Sequence, residues 1–306
     1  MISPPFPFDE KDRLATLYAL NILDSKAEER IDRYTRFASL IFNVPIALVT
    51  LVDEKRQWFK SKVGLSIKET NRIISFCAHC ILTDKLLIVP DTHEDKRFYD
   101  NPLVTSKPFI RFYAGVPLEM PNGYRIGTLC IIDQTPRSFC QSNTKLLTLL
   151  GDIVEKELSS PQFQDTDELT GISNLSGFDK LAFLVTNLEQ NSSNIQLILF
   201  TLSSLSEINQ RYGYNEGDKA LVSFSNLLLN CSHNVYAIGR LSGNIFGVLI
   251  SSLQPNSISR YLYKVSTLTA EFNLKSDYKL SYQIQCVNIN RHHELNYSKV
   301  LPNKLS

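Results

Sequence analysis

The sequence predicts an α+β protein built from two domains, and three observations carry that reading. The chain has 306 residues, about twice the roughly 100–200 residues of a single domain. Its first half runs as two helical periodicities followed by alternating apolar runs. Its composition then changes near residue 160: residues 1–160 hold 21 Lys/Arg and 20 Asp/Glu, whereas residues 161–306 hold 11 of each but 20 Ser and 16 Asn. Apolar residues make up 43 %, which excludes disordered and fibrous classes, and a net charge of +1 excludes the basic excess of a nucleic-acid binder.

Residues 12–23 place Leu14, Leu17, Leu20 and Leu23 on one helical face, and residues 28–42 do the same with Ile31, Tyr34, Phe37, Ala38 and Ile41. Residues 45–53 form an apolar run that ends in a polar turn and reads as a buried strand, paired in a hairpin with residues 57–63. Further strands are expected at 87–90, 112–120 and 125–133, the last two joined by a Pro121-Asn122-Gly123 turn. Helices on one side of a mostly antiparallel sheet make an α+β domain. Residues 143–158 carry Leu146, Leu147, Leu149, Leu150, Ile153, Val154 and Leu158 at mostly helical spacing, and Ser159-Ser160-Pro161 ends the run. The expected division is a first domain over 1–142, a linker helix over 143–164 and a second domain over 165–306.

The longest apolar stretch, residues 44–52, is interrupted by Pro45 and Thr50 and is far shorter than the ~18 residues of a membrane span. The opening residues have neither the basic nor the apolar region of a signal peptide. Six cysteines without an export signal read as reduced thiols, and the expected location is the cytoplasm, without a membrane or nucleic-acid partner.

The segments LVTLVDEKRQWFKSKVGL, RIISFCAHCIL, VPDTHEDKRFYDNPLV and IRFYAGVPLEMPNGYRIGTLCIIDQTPR, taken in order, resemble the GAF domain family over residues ~10–158. The resemblance implies a sensory domain with a small-ligand pocket on one face of its sheet and a tendency to dimerise through flanking helices. It names no ligand, because members bind cyclic nucleotides, tetrapyrroles or haem. Pocket candidates are Cys77, His79, Arg111 and Tyr113, with Cys80, Arg97, Tyr99 and Cys130 nearby in sequence. Cys77, His79 and Cys80, following a strand-like IISF run, supply three of the four ligands a metal would want, and Cys130 could be the fourth. The other reading is buried thiols acting as small hydrophobes. No Cys-His dipeptide occurs of the kind that attaches a bilin in the photoreceptor branch. Arg111, Asp100 and Asp133 read equally as loop-anchoring ion pairs, and Trp58 as core or dimer surface.

In the second half, DELTGISNLSGF from Asp167 to Phe178 resembles the D-x-L-T-G-L-x-N-R opening of the GGDEF domain of diguanylate cyclases. Two later blocks, from Ile195 to Asp218 and from Gly239 to Ile250, stand at that family's spacing. The resemblance implies a mainly antiparallel sheet flanked by helices, similar to the palm of nucleotidyl cyclases, and a reaction joining two GTP molecules with two divalent cations. The family holds those cations by acidic residues, and Mg²⁺ takes hard oxygen ligands. Here the strand-end Asp aligns with Thr201, the second Asp with Ser203 and a phosphate-approaching Lys with Ser206. Ser242, Gly243, Asn244, Ile245 and Phe246 stand in place of Gly-Gly-Asp/Glu-Glu-Phe. Neutral ligands forfeit most of the electrostatic stabilisation of a triphosphate.

Asn209 and Asp218 match the residues that hydrogen-bond guanine, with Gly213 and Gly217 between them; as bland alternatives, Asn209 caps a helix and Asp218 starts one. The product-feedback motif R-x-x-D is replaced by His233 and Tyr236, which lack the guanidinium that grips phosphate or guanine bidentately. After a strand-like run over 278–289 the family's next helix is replaced by a short tail with His292 and His293, so the second domain reads as C-terminally shortened.

The expectation is a cytoplasmic homodimer in signal transduction, with a GAF sensor and a catalytically degenerate GGDEF domain that binds GTP or a protein partner in cyclic di-GMP signalling. No cofactor other than GTP is implied. The alternatives are a weak or partner-completed diguanylate cyclase, and a second domain that is a remnant beside an active GAF half.

Overall fold

The computed structural model describes residues 1–159, 165–188, 195–232, 234–252 and 256–288. The chain forms two compact units, Met1–Gln162 and Phe163–Ser306. Both are α+β, as expected.

The first unit opens with α1 (Glu10–Ala19) and α2 (Glu29–Ile41). α1 stops short of the expected residue 23 because Asn21 and Asp24 take left-handed backbone, which these residues tolerate and a helix does not. Six strands come next: β1 (Ile46–Val52), β2 (Arg56–Val63), β3 (Glu69–Asn71), β4 (Leu87–Val89), β5 (Phe112–Glu119) and β6 (Arg125–Asp133). They form one antiparallel sheet in the order β3-β2-β1-β6-β5-β4. All seven residues of β1 are buried, so its near-continuous apolar run faces protein on both sides.

Two expectations are corrected. The IISF run is not a strand: residues 72–74 make a single 3₁₀ turn, and α3 (Phe76–Cys80) succeeds it. The caps decide this, since Asn71 accepts from the Ile73 N–H and Ser75 from the Ala78 N–H. Nor are helices confined to one side. α2 packs on β1 and β2, whereas α3, the short α4 (Pro102–Thr105) and the loop over 91–110 enclose a second core with Leu48, Phe76, Phe98, Val104, Tyr113 and Ile132.

The helix expected as a linker, α5 (Gln141–Ser159), packs against β5 and α2; residues 160–164 lie outside the described residues. Gly151 lets it approach the sheet, because a Cβ there would lie 2.6 Å from Val116 Cγ1. Near its end Glu157 accepts at 2.6 Å from the buried Arg33 of α2.

The second unit holds α6 (Leu175–Leu188), β7 (Ile195–Leu202), α7 (Leu205–Tyr212), α8 (Tyr214–Asn230), β8 (Val235–Ser242), β9 (Ile245–Ser251), α9 (Ser257–Lys275) and β10 (Tyr282–Asn288). Its antiparallel sheet runs β10-β7-β9-β8. Phe200, Phe224, Phe246, Tyr261 and Val265 form a core that joins the sheet to α8 and α9. On β8 and β9, Gly239 and Gly247 stand opposite each other, and Phe178 of α6 sits over both: a Cβ at either would meet its side chain at 3.0–3.1 Å. Among the described residues no helix is long and apolar enough to cross a membrane.

Candidate functional site

α7 and α8 are separated by a single residue, Gly213, whose φ of +90° turns the chain sharply between them. A side chain there would be strained, which is why glycine stands at the joint. The turn brings Asn209 of α7 against Gly217 in the first turn of α8. A Cβ at residue 217 would lie 1.8 Å from Asn209 Oδ1, so only glycine leaves room for the amide. Neither Asn209 nor Asp218 serves as a cap: the first is inside α7, and the second is the fifth residue of α8, whose N-cap is Gly213. The bland reading of both residues is therefore corrected.

Asp218 is exposed and lines an open cleft of about 890 Å³ together with Leu169, Tyr212, Lys219, Phe272 and Tyr278. The aromatic rings form one wall, with Tyr212 and Phe272 centred 6.0 and 5.9 Å from Tyr278. Tyr212 donates its hydroxyl to the Asp277 carbonyl at 3.0 Å, which fixes the ring. Partial burial and the nearby Glu216 carboxylate raise the Tyr278 phenol above its ordinary range, keeping it a neutral donor. The rings are tilted by 54° and 50° to Tyr278, so a single ring face beside the carboxylate is what a planar, N–H-bearing heterocycle would meet: the ring stacks and the carboxylate accepts.

The other end of the expected site is the β8–β9 turn. Gly243 occupies it with φ +38°, and Ser242 pairs with Ile245. Thr201, near the end of β7, lies opposite Ile245 in the sheet. Asn244 donates its side-chain amide to the Leu202 carbonyl at 2.9 Å, while its own carbonyl accepts from the Leu202 N–H at 2.9 Å. The amide thus pins the turn to β7. Phe246 is fully buried against Phe224. Arg240 donates to the Gly243 carbonyl at 2.8 Å and reaches Asp167 at 3.3 Å, and Asp167 also accepts from the Thr170 hydroxyl at 2.6 Å. These bonds hold the opening loop of the unit to the turn. Ser203 shares a hydroxyl–hydroxyl bond with Ser281 at 3.0 Å, and Ser206 is exposed. The Mg²⁺ that the resemblance to diguanylate cyclases implies does not fit the donor set of Thr201, Asn244 and Ile245: one hydroxyl, one amide already engaged and an aliphatic side chain bring no charge to a hard cation. Tyr236 is buried in β8; His233, His292 and His293 lie outside the described residues.

The first unit brings Cys77 and Tyr113 together and leaves Arg111 apart. Tyr113 lies over Gly115, two residues along the same strand, and donates its hydroxyl to Cys77 Sγ at 3.4 Å. Phe76 and Phe98, stacked 4.0 Å apart, fill the space beside them. Arg111 pairs outside this core with Asp91 at 2.8 Å, and Asp133 receives Arg137 at 2.6 Å, which is the loop-anchoring alternative. Trp58 is buried. The metal alternative fails on direction: His79 Nε2 meets the Ile2 carbonyl at 3.0 Å and Cys80 Sγ donates to the Gly115 carbonyl at 3.2 Å. Among the described residues no group of three or more His, Cys, Asp or Glu could hold a metal ion. Burial pushes the His79 imidazole below its ordinary range.

Sequence reasoning missed the aromatic wall of the cleft, whose members Phe272 and Tyr278 lie more than 50 residues beyond Asp218. No local pattern marks them. It also missed Gln57, Thr50 and Thr128 around Cys77, which come from strands β2, β1 and β6.

Comparison with known proteins places two families on the chain. The model described as Diguanylate cyclase, GGDEF domain matches residues 164–302, and the GAF domain model matches residues 26–158. A cyclic di-GMP phosphodiesterase of Pseudomonas aeruginosa is 32 % identical over 263 residues, covering 83 % of this chain and 43 % of the relative. The diguanylate cyclase DgcP of Escherichia coli is 26 % identical over 186 residues, covering 56 % of this chain and 52 % of its own. The chain thus spans about half the length of the curated relatives it matches. Among solved structures, the GGDEF domain of DgcB from Caulobacter crescentus in complex with c-di-GMP aligns with a TM-score of 0.37 at 16 % identity, over 42 % of this chain and 78 % of that one. The diguanylate cyclase SiaD of Pseudomonas aeruginosa, in complex with its activator SiaC, aligns with a TM-score of 0.38 at 15 % identity, over 45 % and 54 %.

Proposed function

Because the chain carries a GAF domain followed by a GGDEF domain, we propose that it is a cytoplasmic signal-transduction protein whose GGDEF domain is catalytically degenerate and binds a guanine nucleotide without turning it over. The β8–β9 turn carries this reading. Asn244 spends its amide on the Leu202 carbonyl, and Ile245 faces Thr201, so the turn is closed on itself where the related cyclases place carboxylates. The base end keeps Asp218 on a cleft with aromatic lining, and Asn209 against Gly217, the residue before Asp218. The relatives named above are called a phosphodiesterase and a cyclase, so the domain pair goes with cyclic di-GMP signalling rather than with one reaction. In this reading the bound state of the cleft is the output, read by a protein partner. α5, packed on β5 through Gly151, carries a change in the GAF sheet to the end of its unit. Leu149, 43 % exposed on α5, belongs to the surface through which two copies would pair as a homodimer.

The test is GTP turnover and GTP binding on the same purified chain with Mg²⁺ or Mn²⁺, read by mass spectrometry and calorimetry. No cyclic di-GMP or linear intermediate is expected. GTP binding is expected to weaken by about 10-fold or more in Asp218→Ala, the scale of a lost hydrogen bond to a charged acceptor. Cyclic di-GMP made by the wild type and lost in Asp218→Ala would overturn the reading and establish the weak cyclase.

A further inference from the structure

The buried thiols of the first unit sit in its second apolar core, yet they have polar partners there. Cys77 Sγ, on α3, lies 3.7 Å from Cys130 Sγ, on the central strand β6. Both residues are at most 1 % exposed. Around the Cys77 sulfur the polar groups converge as donors. Gln57 Nε2 donates to it at 3.2 Å and the Tyr113 hydroxyl at 3.4 Å. Thr50 and Thr128, whose hydroxyls are 3.0 Å apart and bond to each other, lie on β1 and β6 close to it. The Gln57 amide is held in the donating orientation by a relay: its oxygen accepts from the Ser75 hydroxyl, which itself accepts from the Ala78 N–H at 3.0 Å. Such a nest favours a sulfur that carries negative charge. Burial acts to raise the Cys77 thiol, and the hydrogen-bonding groups of Cys130, Thr128, Thr50 and Tyr113 outweigh it and hold it down at about 7. Burial holds Cys130 well above its ordinary range, which keeps a proton on the second sulfur.

We propose that Cys77 and Cys130 form a peroxide-reactive dithiol, with Cys77 the attacking and Cys130 the resolving sulfur. The Cys77 thiolate attacks one oxygen of hydrogen peroxide; the O–O bond breaks, Cys77 becomes a sulfenic acid, and the departing hydroxide takes a proton to leave as water. Cys130 sulfur then attacks the Cys77 sulfur, the S–O bond breaks, and the hydroxide leaves as a second water with the Cys130 proton. Two electrons from the two thiols reduce one peroxide to two waters. The sulfurs must close from 3.7 Å to the ~2.05 Å of a disulfide, a shift of side chains that ties α3 to β6. The closed core selects a small uncharged oxidant over bulky reagents, which meet Cys140 and Cys286 at the surface first.

The test treats the full chain with hydrogen peroxide, blocks remaining thiols after unfolding, and maps the cysteines by mass spectrometry. A linked 77–130 peptide, present in most molecules and lost on treatment with a dithiol reductant, is expected. In Cys130→Ser, with near-ultraviolet circular dichroism matched to wild type before the peroxide is removed, Cys77 should stop at a sulfenic acid that a 1,3-dione present during unfolding then traps. The proposal is overturned if both thiols remain free once Cys140 is fully oxidised. It is equally overturned if Cys77 goes to sulfinic acid in the wild type without linking, or if the link forms only in unfolded protein.

Discussion

A methyl group at residue 217 would separate the two properties that the α7–α8 joint combines. The Cβ of Gly217→Ala would stand 1.8 Å from Asn209 Oδ1 and 2.9 Å from its Cγ, against an ordinary contact near 3.4 Å. The amide must therefore move by roughly 1.5 Å, and as the end of a short side chain it can rotate away. The helix gains from the change, because alanine is better than glycine in a helix by about 0.8–1 kcal/mol. The two effects leave stability within about 1 kcal/mol of wild type, a shift of roughly 2–4 °C in Tm for a unit of this size. GTP binding should respond differently. If Asn209 bonds the base, its displacement removes a neutral hydrogen bond of about 0.5–1.5 kcal/mol, a loss of roughly 2- to 12-fold in affinity. Calorimetric titration beside thermal melting reads both quantities. Asn209→Ala should lose the same amount, and adding Gly217→Ala to it should cost nothing further, since both act through one side chain. Wild-type affinity in both single variants would remove Asn209 from the site. A loss that persists when Gly217→Ala is made on the Asn209→Ala background would mean that the methyl obstructs the cleft itself.

Two further outcomes concern the scaffold. Glu10 receives Arg13 at 2.7 and 2.8 Å and also pairs with Arg72, and both guanidiniums are buried. Burial acts to raise its carboxyl, and the bonds from Arg13 and Arg72 outweigh that and hold it below 4.5. A lowered carboxyl adds stability that is present above pH 4.5 and lost as pH falls through the folded value. Glu10→Gln should therefore lower stability by about 1–2 kcal/mol at about pH 7, and the gap to wild type should close in melts run below pH 4.5. A gap that stays constant as pH falls until the wild type itself unfolds would refute the ionic origin. At the Gly239–Gly247 pair, Gly239→Ala sets a Cβ at 3.0 Å from Phe178 and from the Ser173 carbonyl, which is backbone and cannot swing away. Overpacking of this kind costs about 1–3 kcal/mol, and urea unfolding should show a lower midpoint at unchanged slope.

Five of the six strands of the first unit were legible because apolar patterning and turn chemistry agree, with the Pro-Asn-Gly turn between β5 and β6 as read; β3, three residues without a buried side chain, has no apolar run to read. The IISF run shows where this fails. A short apolar run looks the same as a strand or as a helix entry, and the decision rests on Asn71 and Ser75, whose side chains cap the 3₁₀ turn and α3. α1 is shorter than its leucine spacing suggests because periodicity reports a face and not an end; the end is set by left-handed Asn21 and Asp24. Placing helices on one side only also came from counting the long helices. The second core is closed by α3, α4 and a loop, none of which has a periodicity to read.

The two candidate sites were legible to different depths for one physical reason. Asn209, Gly213, Gly217 and Asp218 lie within ten residues of one another, so a local geometry, helix–glycine–helix, determines their relation, and spacing reports it. Much of the rest of the cleft comes from α9 and the loop after it, with Leu169 from the start of the unit, and only the tertiary fold brings Tyr278 to Asp218. The sulfur site is the extreme case. Cys77, Cys130, Tyr113 and Gln57 stand on four elements, and their meaning depends on the direction of each side chain: Cys80, only three residues from Cys77, points its sulfur at the Gly115 carbonyl instead. Spacing grouped Cys77, His79 and Cys80 as a metal set because it counts positions along the chain. At about 100° per residue, His79 leaves the face of Cys77 while Cys80, three residues on, returns to it, so spacing does not separate the two thiols; the bond each makes does, and Cys77 meets Cys130, 53 residues away on β6.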